Sequence, residues 1–367
     1  MKSIIVIDRI GLDHHQSLIS KLNESDVVWY ITNDKFYMEA KEIFKNTILC
    51  NTSDYDALRK ISLDLCRSEN ITHVVALSEK HQEILAEIRS EISNKKIDYS
   101  IFRDKMLMKE YAKEKRIPTP EFGDMSKVDF LLKKHGKIII KPRKGMGSEN
   151  IYSINSTEQI SEIAHVIDNN EYMCEEFIDG EMYHADCYLR DNDAVIVVSK
   201  YMQSTLSYKS GSYLSSISIE DKEIEDFSIR TIKEFGLSSG VFHVEVFRGR
   251  NGNIYLCEIA KRAGGAGVVP AFEALTGINL HEADICLSID AQLSRSDEIV
   301  NCAGWICSYT NTYAIGNLNN LIYYSKCNGA GSYSTDYTEL GVVFGDNFDT
   351  VSDIFQTVKK NEDIHFN

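Results

Sequence analysis

Residues 240–265 read Gly240-Val-Phe-His-Val-Glu-Val-Phe-Arg-Gly-Arg-Asn-Gly-Asn-Ile-Tyr-Leu-Cys-Glu-Ile-Ala-Lys-Arg-Ala-Gly-Gly265. Two strand-like runs, Gly240 to Arg248 and Asn253 to Ala260, flank Asn251-Gly252, the dipeptide preferred in two-residue type I′ hairpin turns. With that turn Arg250 faces Asn253, and counting back along both strands sets Glu245 opposite Glu258. Period-two alternation then puts both glutamates on one face with His243, Leu256 and Ala260. Like charges directly across a ladder destabilise it, so an ordinary surface hairpin tends to avoid this pair. Two facing carboxylates become favourable around a shared hard divalent cation, or around a shared proton as an acid–base dyad. His243 suits a polar packing residue better than a ligand. Four residues beyond Glu258 stands Arg262, followed by Ala263-Gly264-Gly265. A guanidinium beside a glycine-rich bend suits a bidentate hold on a carboxylate or phosphate.

A second stretch, Lys137-Ile-Ile-Ile-Lys-Pro-Arg-Lys-Gly-Met-Gly-Ser148, closes an apolar strand with Lys141 and runs at once into Gly145-Met-Gly-Ser148. Alternation sets Lys137, Ile139 and Lys141 on one face and Ile138 and Ile140 on the other. Glycines let backbone N–H groups approach phosphate oxygens closely, and an ammonium adds a point charge. A hairpin turn that needs positive φ is the plain alternative. With a phosphate grip in the same chain, the cation is preferred over the acid–base dyad for Glu245 and Glu258. Magnesium held by two carboxylates commonly completes its shell with waters and substrate phosphates. A third stretch, Glu175-Glu176-Phe177-Ile178-Asp179-Gly180-Glu181, reads by itself as a strand and a turn; as an extended connector its backbone could also read a purine edge, with an acid beyond it able to accept ribose hydroxyls.

The 367 residues exceed one ordinary domain and suit two or three α/β modules. At 43% hydrophobic and 26% charged the chain reads as globular. Its net charge of −15 argues against a non-specific nucleic-acid or anionic-membrane binder. The charge is uneven: Arg103 to Lys144 holds thirteen basic and six acidic residues, a local +7 that leaves −22 elsewhere. Such an island suggests a small anionic ligand, or a solvated face. Nine scattered cysteines without a CxxC fit reduced thiols, and the short Ile4–Ile7 run is no signal-peptide core, so a cytoplasmic location is expected.

Strand-like runs at 3–8, 27–31, 47–50 and 73–77 alternate with helical patterns near 18–22, 36–45, 54–68 and 79–92, which predicts a parallel sheet covered on both faces. No G-x-G-x-x-G follows the first strand, so a dinucleotide site is not indicated. His14-His15 reads as a solvated turn. A boundary is expected near residue 100. Past it comes a helix to about 115, then Ile117-Pro-Thr-Pro120, where the second proline forces Thr119 to be extended. A small α+β unit follows, with a helix at 126–135, strands at 137–142 and 150–154, a helix at 157–168 and a strand at 171–178. Beyond it, strand-like runs at 183–188 and 194–200 flank a turn at Asp191-Asn192-Asp193, and the Ser-, Tyr- and Gly-rich 203–216 suggests a mobile loop. A helix is expected at 221–235.

Together, and in this order, these segments resemble the ATP-grasp superfamily, particularly its carboxylate–amine ligases, over roughly 100–285. Asp104-Lys105 before Ile117-Pro-Thr-Pro120 looks like the family's first nucleotide lysine and the approach to its lid. Lys141-Pro142-Arg143 with Gly145, Gly147 and Ser148 looks like the second lysine and triphosphate loop, and Glu175, Glu176, Phe177 and Ile178 like the hinge that meets adenine through backbone atoms. Glu245 and Glu258 match the magnesium carboxylates, and Glu258-Ile-Ala-Lys-Arg262 with Gly264-Gly265 matches the E-x-x-x-R-x-G-G run of amino-acid and peptide ligases. Many members carry Asn two residues after the second glutamate, where this chain has Ala260. The ribose acid falls on Glu181, with Asp186 as its substitute.

The resemblance implies an α/β and α+β architecture: an ATP-grasp fold behind a Rossmann-like pre-ATP-grasp domain. The expected divisions are 1–100 for that domain, 101–178 for a lid, and 179–367 for a C-terminal subdomain with the metal and substrate site. It implies ATP and Mg2+, with Mn2+ as the alternative, and a reaction in which a carboxylate held by Arg262 becomes an acyl phosphate and is joined to an amine, releasing ADP and phosphate. Arg262 and Glu258 are the catalytic expectations; His243, Gly264 and Gly265 join Arg262 around the substrate. Small carboxylate and amine substrates are expected as partners, with neither nucleic acid nor membrane, and a homodimer is the open option for assembly. Alternatives are another acceptor (a thiol, or carboxylation) and a non-catalytic ATP-binding scaffold.

Overall fold

The computed structural model describes residues 1–94, 99–191, 193–206, 213–309, 315–326 and 337–365, with side chains through residue 358. The chain opens with β1 (Ser3–Ile7), α1 (Gln16–Lys21), β2 (Val27–Thr32), α2 (Asp34–Ile43), β3 (Asn46–Leu49), α3 (Tyr55–Ser68), β4 (His73–Val75) and α4 (Gln82–Ser93). Its four strands form a parallel sheet in the order β3-β2-β1-β4. Successive residues of a strand point to opposite faces, and β1 is apolar on both: Ile4 and Val6 enter one core, Ile5 and Ile7 another. His14-His15 departs from a solvated turn. His15 is fully buried with Nδ1 3.7 Å from Asp8, and His14 meets His281 at 3.2 Å.

A second, antiparallel sheet follows α5 (Lys105–Glu114). It comprises β5 (Phe122–Asp124), α6 (Val128–His135), β6 (Ile138–Pro142), β7 (Tyr152–Ile154), α7 (Thr157–Ile163) and β8 (Tyr172–Glu176), with strand order β5-β8-β6-β7. As alternation requires, Ile138 and Ile140 enter the core under α6, while Ile139 and Lys141 face a cavity. Helix α5 packs elsewhere: Met108 and Ala112 join Val244, Val246 and Leu256 in the core of the next sheet.

The third sheet has eight strands: β9 (Gly180–Arg190), β10 (Asp193–Tyr201), β11 (Tyr213–Ile219), β12 (Ser239–Gly249), β13 (Ile254–Ala260), β14 (Cys302–Ser308), β15 (Leu321–Lys326) and β16 (Glu339–Gly345). Its order is β13-β12-β9-β10-β11-β14-β16-β15. Among the described residues four helices accompany it: α8 (Lys222–Glu234), α9 (Val268–Thr276), α10 (Leu280–Ser288) and α11 (Phe348–His365). Ile285 of α10 also enters the core beneath β1, which seats the first sheet against this body. The loop expected over 203–216 is cut short by β11, whose Ser215, Ser216 and Ile217 are buried between β10 and β14. Polar serines hid that strand from hydropathy. Residues 207–212, and Asn192 of the expected 191–193 turn, lie outside the described residues. Ile117–Pro120 lies outside helix and strand, and the Pro118 carbonyl accepts a hydrogen bond from the Leu256 N–H along the β13 edge.

The β12–β13 hairpin closes differently from the two-residue turn. Gly249 N–H donates to the Asn253 carbonyl, so the loop is Arg250–Gly252, with Gly252 at φ 80°. That extra residue moves the pairing by one: Arg248 faces Ile254 and Val246 faces Leu256. A bulge next to Glu245 then moves it back, and Glu245 faces Glu258 while His243 faces Ala260. Leu256 therefore sits on the opposite face from the glutamates, fully buried in the α5 core.

Candidate active site

A cavity of about 540 Å3 lies between the second and third sheets, with Glu79, from beyond β4 of the first, also on its wall. Glu245 and Glu258, cross-strand neighbours, both line it. Glu245 Oε1 accepts from the Tyr201 hydroxyl at 3.0 Å and lies 3.6 Å from His243 Nε2. Burial would raise its pKa, but His243 and Tyr201 hold it down at about 2. Glu258 Oε2 lies 3.2 Å from Lys105 Nζ. Two hard carboxylates on adjacent strands, facing one cavity, suit Mg2+ or Mn2+ better than a softer ion.

His243 lines the cavity, yet both ring nitrogens face protein carboxylates. Its Nδ1 is 2.7 Å from Asp186 Oδ1, and Asp186 Oδ2 is 2.6 Å from His184 Nδ1. Burial opposes the His243 charge, but Asp186 overrides it and the pKa rises to about 10. Asp186 is thus removed from the ribose role held open for it: it is 2% exposed, spent on two imidazoles and absent from the cavity wall. His184, whose Nε2 reaches Ser216 Oγ at 2.8 Å, carried no sequence signal. The donor atoms of His184, Asp186 and His243 lie within 4.8 Å of one another, and they satisfy each other.

Gly264 is set behind this cluster rather than on the cavity, whereas Gly265 lines it. A Cβ on Gly264 would stand 2.8 Å from His243 Nδ1 and 2.9 Å from Asp186 Oδ1. Gly264→Ala is expected to cost about 1–3 kcal/mol through overpacking. A lowered unfolding midpoint is the readout; a midpoint equal to the parent's would count against the contact.

The basic residues converge from separate elements. Asp104 caps α5, accepting from Met106 N–H at 3.0 Å, and pairs with Arg143 at 2.6 Å, so the second lysine's strand is tied to the first lysine's helix. Lys105 Nζ donates to the Gly145 carbonyl at 2.9 Å. Gly145, Gly147 and Ser148 all line the cavity, with φ 59° at Gly147 and 53° at Ser148. Lys141 Nζ lies 2.5 Å from Glu175 Oε1, and Lys109 Nζ lies 3.0 Å from Oε2.

Glu175 also lines the cavity, but at 2% exposed its carboxylate is spent on the two lysines. Glu176 lines the cavity with Oε1 3.4 Å from His135, and the Phe177 ring lies 3.6 Å from Lys137 Nζ. Ile178 also lines it. Glu181 stands half exposed on the wall, accepting from Lys200 and, at 2.5 Å, from the Tyr183 hydroxyl.

Arg262 lines the cavity, but its guanidinium is already held. Nε donates to Glu79 Oε2 at 2.7 Å, Nη2 contacts the same oxygen, and Nη1 donates to the Ala263 carbonyl at 2.6 Å. Glu79 also pairs with Arg103, and the two arginines keep its pKa low against burial. The sequence offered one unused signal for Glu79: an acid just past the carboxyl end of a parallel strand, where α/β folds place ligands. Tyr201, Leu214, Val268 and Trp305 add an aromatic and aliphatic wall, with the Tyr201 and Trp305 rings edge to face at 6.0 Å.

Residues 134–269 match the family model of the ATP-grasp domain. Among curated proteins, the chain is 26% identical over 262 residues to an L-arginine-specific L-amino acid ligase of Bacillus subtilis, covering 66% of this chain and 63% of that protein. It therefore spans less than two thirds of that relative's length. Two solved structures share the fold over nearly their whole lengths. An L-amino acid ligase from Bacillus licheniformis has a TM-score of 0.77 at 13% identity, covering 98% of each chain. A carboxyaminoimidazole ribonucleotide synthase from Aspergillus clavatus, complexed with ATP, has 0.76 at 14% identity, covering 99% of this chain and 98% of that one. Over residues 134–269 the chain is similar to the ATP-grasp domain, and its overall fold is that of the two solved structures. Among the described residues no helix is long and apolar enough to cross a membrane.

Proposed function

We propose that this chain is an ADP-forming carboxylate–amine ligase that activates a small carboxylate, an amino acid, with ATP and joins it to an amine. One observation carries this: Glu245 and Glu258 face each other in the cavity that Lys105, Lys141, the loop at 145–148 and Arg262 also line. The ligase relative and the ATP-grasp fold support it. Lys105, Lys141 and the loop are the groups to neutralise and align the triphosphate, and residues 176–178 with Glu181 the groups to receive adenosine. Glu245 and Glu258 would hold a divalent cation, which supplies charge neutralisation between phosphate groups. Arg262, aimed by Glu79, would orient the substrate carboxylate. A carboxylate oxygen bonds to the γ-phosphorus as the bond to the β-phosphate oxygen breaks and ADP leaves. The amine nitrogen then bonds to the acyl carbon, the carbon–oxygen bond to phosphate breaks, and the amine's proton goes to solvent.

An acyl phosphate hydrolyses if water reaches it, so closure matters. The antiparallel sheet is the proposed lid; because α5 packs with the large body, the moving part starts after the 117–120 segment rather than at 101. Residues 1–100 serve as the pre-ATP-grasp domain, contributing Glu79. ADP release over a panel of amino-acid pairs, with mass spectrometry of the product, tests the reading. ADP formed only with carboxylate, amine and ATP all present, with an amide product, is expected. ATP binding without release over the whole panel would favour the scaffold reading instead.

A further inference from the structure

Lys105 and Lys109 stand one turn apart on the same face of α5, but only Lys105 reaches the cavity. Lys109 is 0% exposed, its Nζ 3.0 Å from Glu175 Oε2 and 3.3 Å from the Leu256 carbonyl. Both close neighbours are acceptors, which calls for the ammonium form. Glu175 is 2% exposed at the cavity wall, and its other oxygen lies 2.5 Å from Lys141, the cavity-facing cation. Two ammoniums thus share one carboxylate. A Lys141–Glu175 pair alone would present the cavity with a neutral dipole, while the triad presents a net positive charge on its cavity side. Arg103, Glu79 and Arg262 repeat the ratio at the cavity's substrate side, again with one cation on the wall and one behind it. An apolar side chain would fill the place of Lys109 without the cost of burying a charge, so its charge is what distinguishes it.

We propose that Lys109 is a positioning residue, the fixed counter-ion of Glu175, which leaves the charge of Lys141 available to nucleotide phosphates. This rests on the ATP site proposed above. The test is ATP affinity by calorimetry with Mg2+ present, for the whole chain and for Lys109→Met, Lys109→Arg, Lys109→Met/Glu175→Gln and Lys141→Met. Lys109→Met is expected to bind ATP roughly tenfold more weakly. The Arg variant and the double variant, which again leaves one net positive charge, are expected within about twofold of wild type. A merely structural lysine would not be rescued by removing its partner's charge. Wild-type affinity in Lys109→Met, or a double variant as weak as the single one, would overturn the role. Should the single variant not fold, the double variant decides alone: near-wild-type affinity supports the counter-ion and a tenfold loss overturns it. A wild-type chain that binds no ATP would overturn the ATP site itself. Binding lost in Lys141→Met but kept in Lys109→Met would overturn only the counter-ion.

Discussion

Glu258→Gln is expected to lower ADP release on the order of 10³-fold while the chain still folds, because a carboxamide keeps the shape but loses the charge a divalent cation needs. Among the described contacts, the side chain's ion pair is with Lys105 at 3.2 Å, and a glutamine oxygen can still accept from that ammonium. Circular dichroism and the unfolding midpoint should therefore change little. Glu245 gives the contrast: Tyr201 and His243 both bear on it, so its amide variant disturbs a buried network as well as the charge. A Glu258→Gln variant that releases ADP at a near-normal rate would remove Glu258 from the proposed cation site.

Arg262→Ala should raise the concentration of carboxylate substrate needed for half-maximal rate roughly a hundredfold, with the ATP requirement moving far less. The guanidinium is anchored to Glu79 and to the Ala263 carbonyl, which fixes its direction into the cavity. Losing it also leaves Glu79 with Arg103 as its remaining ion pair among the described residues, so some loss of stability accompanies the kinetic effect. Lysine at this position keeps the charge without the planar fork and should recover only part of the defect. An equal rise for ATP and carboxylate would place Arg262 at the nucleotide instead.

Much of the architecture was legible. Both faces of β1 are core, so its uninterrupted apolar run could be read as a parallel central strand without knowing any neighbour. The glycine loop at 145–148 and the two glutamates announced themselves by residue type and spacing. The Glu245–Glu258 pairing was reached for an incomplete reason, however. The loop has three residues and the strand carries a bulge, and each displaces the register by one in opposite senses. Leu256, between the turn and the bulge, registers the uncorrected part and points to the other face.

Local sequence determined what depends on neighbours along the chain: strand period, the place of the β12–β13 hairpin loop, and the helix end before Ile117–Pro120. Tertiary structure alone decided which charges meet. Glu79 finds Arg262 across 183 positions, Asp186 finds His243 across 57, and Lys109 and Lys141 converge on Glu175 from a helix and a strand. None of those pairings has a spacing to detect, because each is imposed by burial: a charge withdrawn from water must find a partner wherever the fold brings one.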